Sequence, residues 1–276
     1  MPEGPEIRQA VDAIADAIAG HPAESIFFAF DHLKPYESLL AGVTVTAVEA
    51  RGKAVLTRFA NRYAIYSHNQ LYGKWIIRRA HDYPDTTRQL RLAIHNARHS
   101  ALLYSASDIQ VLHEEEIADH PFLSRIGPDL LDPDLTVDAV MARFRDPRFA
   151  RRRLGGLLLS QEPVAGMGNY LRSEVLFVSG LRPEQRPVDL DDGELERLAT
   201  ACLNLTRQSY TTRGITNDVD RARRLKAEGV PRRVYRHHVF ARDGQPCWTC
   251  GTEIQKTEVG SRRLYYCPVC QGMALP

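Results

Sequence analysis

Long apolar runs are missing from this chain. No stretch of about 18 consecutive hydrophobic residues occurs in it, which excludes a helical membrane span. Its N-terminus is charged and amphipathic and lacks the uninterrupted apolar centre of an export signal, so a cytoplasmic protein is expected. A strong net charge is also absent, and the formal value of +2 says little about partners. Cysteine is scarce outside one region. Of five, Cys202 stands alone in an apolar helical pattern and reads as core packing, while the other four crowd into Cys247–Cys270. An odd count with two tight pairs, in a chain without an export signal, argues against disulfides and for a metal.

What is present suits a globular protein. The 276 residues suffice for one large or two modest domains with real cores. Charge is clustered. Glu114-Glu115-Glu116 and the region from Asp129 to Asp138 are acidic; Arg143 to Arg153 and Arg221 to Arg236 are basic. Such runs are commonly solvated faces, and nucleic acid is the partner to test for.

Read in order, Pro5 to Ala19 is a helix. Ile7, Val11, Ile14 and Ile18 form its stripe, and Gly20 closes it. Short alternating runs follow: Ser25–Phe30, Val43–Glu49, Ala54–Phe59, Tyr63–Ser67, Trp75–Arg79, Leu90–Ile94, Ala101–Tyr104 and Ile109–Leu112. Strands at this spacing imply an antiparallel sandwich or barrel. Pro121 to Asp129 is rich in breakers and reads as a hinge before a helical half. Thr136 is an N-cap, Arg152 to Ser160 is helical, and Gln161 to Gly168 is a tight turn. Asn169 opens a helix to about Val178, and another runs from about Asp192 to Ser209. Free N–H groups and the dipole at the start of the Asn169 helix suggest a phosphate site. Tyr210 to Arg233, polar and basic, reads as a mobile loop.

Four segments carry chemistry. Removing Met1, as is usual before a small residue, leaves Pro2 with a secondary amine. An α-amino group titrates near ~7.7–8.0, so part of it is unprotonated and nucleophilic at neutral pH. Its attack on an aldehyde-level carbon gives an iminium that acidifies the neighbouring C–H, and Glu3 can shuttle protons there. Taken alone, these residues fit an ordinary exposed leader better; the remainder of the chain reverses that. Arg51-Gly52-Lys53 precedes a strand, where glycine permits close approach of a ligand, although such a lysine is elsewhere only a solvated charge. Gln70-Leu71-Tyr72 lies in a loop between strands. By itself the loop suggests partly buried packing; beside DNA it could fill the gap left by an extruded base. Finally, Cys247-x2-Cys250 and Cys267-x2-Cys270 match a closed four-thiolate zinc site, structural in role. Iron is the competing metal. Lys256, Arg262 and Arg263 with Tyr265 and Tyr266 give a basic, aromatic ribbon between the knuckles, suited to DNA phosphates.

Together, Pro2-Glu3-Gly4-Pro5-Glu6, Arg51-Gly52-Lys53, His120-Pro121-Phe122-Leu123 with Gly127-Pro128-Asp129, Gly166-x-Gly168-Asn169-Tyr170 and the terminal cysteines resemble the formamidopyrimidine-DNA glycosylase/endonuclease VIII family. The resemblance covers nearly the whole chain. Tyr66 to Asn69 and Gln70-Leu71-Tyr72 are similar to the endonuclease VIII branch, which prefers oxidised pyrimidines. One departure is the segment from Gly214 to Val239, longer than that branch leads one to expect. The resemblance implies an α+β fold with a catalytic β-sandwich domain (residues 1–125), a helix-two-turn-helix domain (126–235) and a zinc finger (236–276). It implies a bifunctional DNA glycosylase and abasic-site lyase, acting as a monomer on damaged double-stranded DNA in a bacterial cytoplasm. Pro2 would attack C1′, Glu3 assist ring opening, Lys53 serve β-elimination and Arg262, or its neighbour Arg263, serve δ-elimination. Gln70, Leu71 and Tyr72 would wedge the helix, Asn169 and Arg125 would grip phosphates, and Glu6 would order the N-terminal site. An 8-oxoguanine-directed enzyme of the same family and a non-catalytic zinc-ribbon DNA-binding protein are the alternatives.

Overall fold

The structure, a computed structural model, describes residues 2–272. Met1, whose removal the proline chemistry needs, lies outside the described residues. The chain forms two compact units. One comprises Pro2 and Glu6–Arg125; the other comprises Glu3–Pro5 and the chain from Ile126.

In the first unit, α1 (Gly4–Ile18) buries Ile7, Val11, Ile14 and Ile18, the stripe that its 3.6-residue period sets on one side. Then come β1 (Ser25–Phe28), α2 (Pro35–Leu40), β2 (Val45–Arg51), β3 (Ala54–Phe59), β4 (Tyr63–His68), β5 (Lys74–Arg79), β6 (Leu90–His95), β7 (His99–Tyr104) and β8 (Asp108–His113). The short helix α2, with proline at its start, was not foreseen. The strands make two four-stranded sheets, β1-β6-β7-β5 and β2-β3-β4-β8. Phe28, Leu92, Ile94 and Leu103 of one sheet and Val45, Val55, Phe59 and Ile65 of the other share a core with the α1 stripe. The sheets therefore pack face to face. Alternation is strict in β4: Ile65 enters that core, while Ala64 and Tyr66 join Phe122 and Leu123 on the outer face.

The second unit holds α3 (Val137–Arg145), α4 (Leu154–Leu157), α5 (Asn169–Ser179), α6 (Asp192–Thr211), α7 (Val219–Ala227), α8 (Arg232–Tyr235) and the hairpin β9 (Gln255–Val259) with β10 (Arg262–Tyr266). Thr136 caps α3 by accepting the Ala139 N–H at 3.2 Å. Asp191 and Glu194 form a reciprocal capping box on α6. Phe144, Leu157, Leu171, Val175, Leu198 and Cys202 are completely buried in its core, and burial pushes the Cys202 thiol up.

Two sequence expectations need correction here. The helix expected over Arg152 to Ser160 contracts to α4, because Gly155-Gly156 lowers helix propensity and Gly155 is pressed against Pro183 and Val259, within 3.0 Å of where a Cβ would stand. The loop expected over Tyr210 to Arg233 instead contains α7, whose N-cap Asp218 accepts the Arg221 N–H at 2.7 Å. The Arg221 guanidinium lies over Trp248, 5.6 Å from the ring centroid. A basic composition had hidden a capped, anchored helix.

Candidate active site

The residues after Pro2 are held by glycine. The Gly4 N–H donates to the Gly166 carbonyl at 2.7 Å, and a Cβ on Gly4 would lie 2.8 Å from Gly166 Cα. Gly166, at φ 97°, belongs to a turn fastened by Gln161, whose Oε1 accepts the Gly166 N–H and whose Nε2 donates to the Met167 carbonyl. This seating delivers the buried Glu3 carboxylate to the start of α5. There Oε1 accepts the Tyr170 N–H at 2.8 Å and Oε2 the Leu171 N–H at 3.2 Å. Unpaired N–H groups and the helix dipole both favour an anion at that point. The α5 N-terminus is therefore not the open phosphate cradle expected from the sequence: Glu3 takes up two of its donors. Gly168 is obligatory for the same reason, since a Cβ there would lie 2.4 Å from the Glu3 carboxyl carbon.

At the first residue of α5, Asn169 donates its amide to the Arg263 carbonyl at 2.9 Å. Its Oδ1 accepts from the wholly buried Arg172 at 2.8 Å. Gly260 and Ser261, both at positive φ, form the two-residue turn of the β9–β10 hairpin, and Arg262 pairs with Val259 across it. Along β10 the side chains alternate. Arg262 shares a face with Leu264, which enters the helical core, and Arg263 shares one with Tyr265, which packs in the finger. Arg263 accordingly lowers the pKa of Asp243, after the main effect of Lys256, whereas Arg262 acts on Arg172. Both arginines are exposed.

In the first unit, Lys53 sits in the β2–β3 turn after Gly52, at φ 61°, and is buried to 7% exposure. Ala54 pairs with His68, so Lys53 and the β4–β5 loop lie at one end of their sheet. Burial holds the His68 imidazole below its ordinary range, and Lys53 adds to this. The loop is tight: Gly73 N–H donates to the Asn69 carbonyl at 2.7 Å, Gln70 Oε1 accepts from Ser107, and Arg88 donates to the Tyr72 carbonyl. Out of this frame project Leu71, 50% exposed, and Tyr72, 68% exposed. They do not pack inward, as their apolar character alone suggested. Arg125 is exposed, its Nε donating to the Pro121 carbonyl at 2.8 Å.

The four clustered cysteines converge. Their Sγ atoms all lie within 4.8 Å of one another, with Cys247–Cys270 at 3.9 Å and Cys250–Cys267 at 3.4 Å. Tetrahedral zinc with bonds of about 2.3 Å needs sulfurs about 3.8 Å apart, so the donor set fits. With every position taken by a thiolate, the ion's part is structural. Behind the finger, Glu174 of α5 is completely buried and accepts from Thr216 Oγ1, His238 N–H, Val239 N–H and Phe240 N–H at 2.6–2.9 Å. Burial alone would raise its pKa, but neighbouring His237 and His238 and these donors hold it below the carboxylate range. Arg172 and Glu174 were both missed in the sequence. Their signal was there, two charges set among Leu171, Val175 and Leu176.

Comparison with known proteins accords with this arrangement. Residues 1–106 match the formamidopyrimidine-DNA glycosylase N-terminal domain, 126–219 the formamidopyrimidine-DNA glycosylase H2TH domain, and 244–272 the zinc finger found in FPG and IleRS. The chain is 49% identical over 271 residues to Endonuclease 8 of Escherichia coli, covering 98% of this chain and 100% of that one. It is 48% identical over the same span to Endonuclease 8 of Salmonella enteritidis. Its fold is that of Lactococcus lactis Fpg crystallised with abasic-site DNA, at a TM-score of 0.79 and 21% identity over 98% of this chain and 99% of that one. The class so defined is the DNA glycosylases with abasic-site lyase activity, enzymes of base excision repair. Within it, the chain belongs to the formamidopyrimidine-DNA glycosylase/endonuclease VIII family, and its clustered cysteines form a structural zinc site, the only such group among the described residues.

Proposed function

We propose that this enzyme excises oxidised bases, mainly pyrimidines, from damaged double-stranded DNA and then cleaves the strand on both sides of the lesion. Pro2, freed of Met1, is the nucleophile. Its nitrogen bonds to C1′ as the base departs with the glycosidic electron pair; the Glu3 carboxylate takes the proton from that nitrogen and passes it to O4′, so that the C1′–O4′ bond opens to an iminium. Loss of a C2′ proton expels the 3′ phosphate, and loss of a C4′ proton then expels the 5′ phosphate. Water finally releases the sugar fragment from Pro2. Lys53 serves the first elimination. Arg262 clamps the phosphate in the second, an electrostatic role that suits a group which rarely gives up its proton.

The seating of Glu3 carries this reading. A carboxylate next to the nucleophile is fixed by two backbone donors, and the lack of a side chain at Gly4 and Gly168 makes room for the segment that bears it. The exposed Leu71 and Tyr72 on a fastened loop support their assignment, with Gln70, as the wedge replacing an extruded base. The alternation in β10 supports Arg262 over Arg263. Asn169 and Arg125 are assigned to backbone phosphates. The sandwich (1–125) bears catalysis, the helical domain (126–235) and finger (236–276) bear DNA binding, and the enzyme acts as a monomer in the cytoplasm, on nucleoid DNA.

Borohydride trapping tests the nucleophile. The mature enzyme should give a covalent adduct with abasic DNA, and Pro2→Gly or a form with one added N-terminal residue should give none. Full strand cleavage by a form retaining Met1 would exclude the mechanism. Duplexes carrying thymine glycol or 8-oxoguanine compare the two substrate readings directly.

A further inference from the structure

Arg172 is a cationic group with no exposure at all, on a helix whose other buried charge, Glu174, is satisfied separately by donors of the 216–240 segment. Its Nη1 donates to the Gly155 carbonyl at 2.8 Å and the Val259 carbonyl at 3.3 Å. Its Nη2 donates to Asn169 Oδ1 at 2.8 Å, the Arg263 carbonyl at 3.1 Å and the Arg262 carbonyl at 3.4 Å. Three of these acceptors are main-chain carbonyls of the β9–β10 turn and the start of β10. Among the described residues its Nε has no partner, and no carboxylate forms an ion pair with it. Burial accordingly lowers its pKa to about 10; Arg262 adds to this and Glu3 opposes it. At neutral pH it remains a cation.

A core position that served packing alone would be filled more stably by an apolar side chain, because taking a charge out of water is costly even when its partners are in place. This cation instead joins the parts assigned to phosphates. It orients the Asn169 amide, and it holds the main chain of Arg262 from behind while the Arg262 side chain stays exposed. A two-residue turn with both residues at positive φ has no side-chain packing of its own to fix its tip. The planar guanidinium, with donors in a rigid fork, reaches several carbonyls at once, which an ammonium group cannot do.

We propose that Arg172 is a positioning residue for the second elimination: it locks the hairpin tip so that Arg262 meets the departing 5′ phosphate. This rests on the assignment of Arg262 given above. A misplacement of about 1 Å costs up to roughly a hundredfold in rate. Arg172→Met and Arg172→Lys should therefore slow δ-elimination roughly tenfold to a hundredfold, so that the β-elimination product, ending in an unsaturated aldehyde, accumulates. Borohydride trapping should fall much less than the δ product.

The experiment is a time course of β and δ products on an abasic duplex for the wild-type holoenzyme, Arg172→Met, Arg172→Lys, Arg262→Ala and the Arg172→Met/Arg262→Ala double variant, with zinc content and unfolding transition measured for each. The double variant should be no worse than Arg262→Ala in the δ step, which is the signature of one residue acting through the other. If Arg262→Ala leaves the product ratio unchanged, the role given to Arg262 is wrong. If Arg262→Ala shifts the ratio and both Arg172 variants retain the wild-type ratio, or the two effects add, the positioning role is overturned. Loss of zinc or of cooperative unfolding in both Arg172 variants would likewise overturn it, in favour of a purely folding role.

Discussion

At the scale of single residues, Glu3 and Gly168 form one device. The carboxylate occupies space that any side chain at position 168 would fill, and it spans two N–H donors that an amide could satisfy on only one oxygen. Glu3→Gln should reduce base excision by about 10²–10⁴-fold, the range of a lost general acid. Cleavage of a pre-formed abasic site should suffer less, since its sugar is already in equilibrium with the open aldehyde. Single-turnover assays on the two substrates measure the difference. Gly168→Ala, which adds only a methyl group, should reproduce that pattern with zinc content unchanged. The Pro2-Glu3 start was legible as chemistry because a secondary amine beside a carboxylate is unusual. The need for glycine at positions 4 and 168 was not legible, because each is set by a group far away in sequence, the Gly166 backbone and the Glu3 side chain, and at position 166 it follows from a φ of 97° that the folded turn imposes.

Among the elements, α5 gathers the buried polar contacts of the site. Its first turn holds Glu3 and Asn169, its middle holds Arg172, and Glu174 fastens it to the bend at His238–Phe240. Glu174→Gln should destabilise the protein by about 2–4 kcal/mol at pH 7, by weakening hydrogen bonds to a buried charge. Urea unfolding measures this. His237, packed on Tyr170 and hydrogen-bonded to Thr216, is held neutral by burial with its pKa lowered to about 4. A folded pKa below the unfolded one, near ~6.5, means that the unfolded state takes up the proton first. Stability should then be fully present above that unfolded value and fall as pH drops towards 4, and His237→Gln should flatten the fall. On the β4–β5 loop, Leu71→Ala and Tyr72→Ala should change unfolding free energy by no more than about 0.5 kcal/mol, as exposed positions do. Excision from duplex DNA should nonetheless drop. The start of α3 was readable from its Thr136 cap, and that of α6 was placed to within a residue at Asp192. Boundaries were not readable in α4 and α7, where glycines and basic residues masked the signal.

For the whole molecule, the metal links local sequence to tertiary order. The finger buries few side chains, Val239, Ile254 and Tyr265 among them, and a segment so small needs the ion to fold. Chelation should unfold the β9–β10 hairpin and abolish DNA binding while the sandwich keeps its own cooperative transition, which circular dichroism and DNA-binding titrations of the metal-free protein would follow. What the sequence by itself determined is everything that depends on spacing along the chain. This includes the period-2 strands of the sandwich, the stripe of α1, the two Cys-x2-Cys knuckles and the adjacent Pro2 and Glu3. The tertiary structure alone decided how that chemistry is held. Glu3 lies on the N-terminus of α5 and Arg172 beneath the hairpin tip through contacts that join residues 87 to 168 positions apart. No periodicity extends that far, and only packing of the folded chain brings such groups within hydrogen-bonding distance.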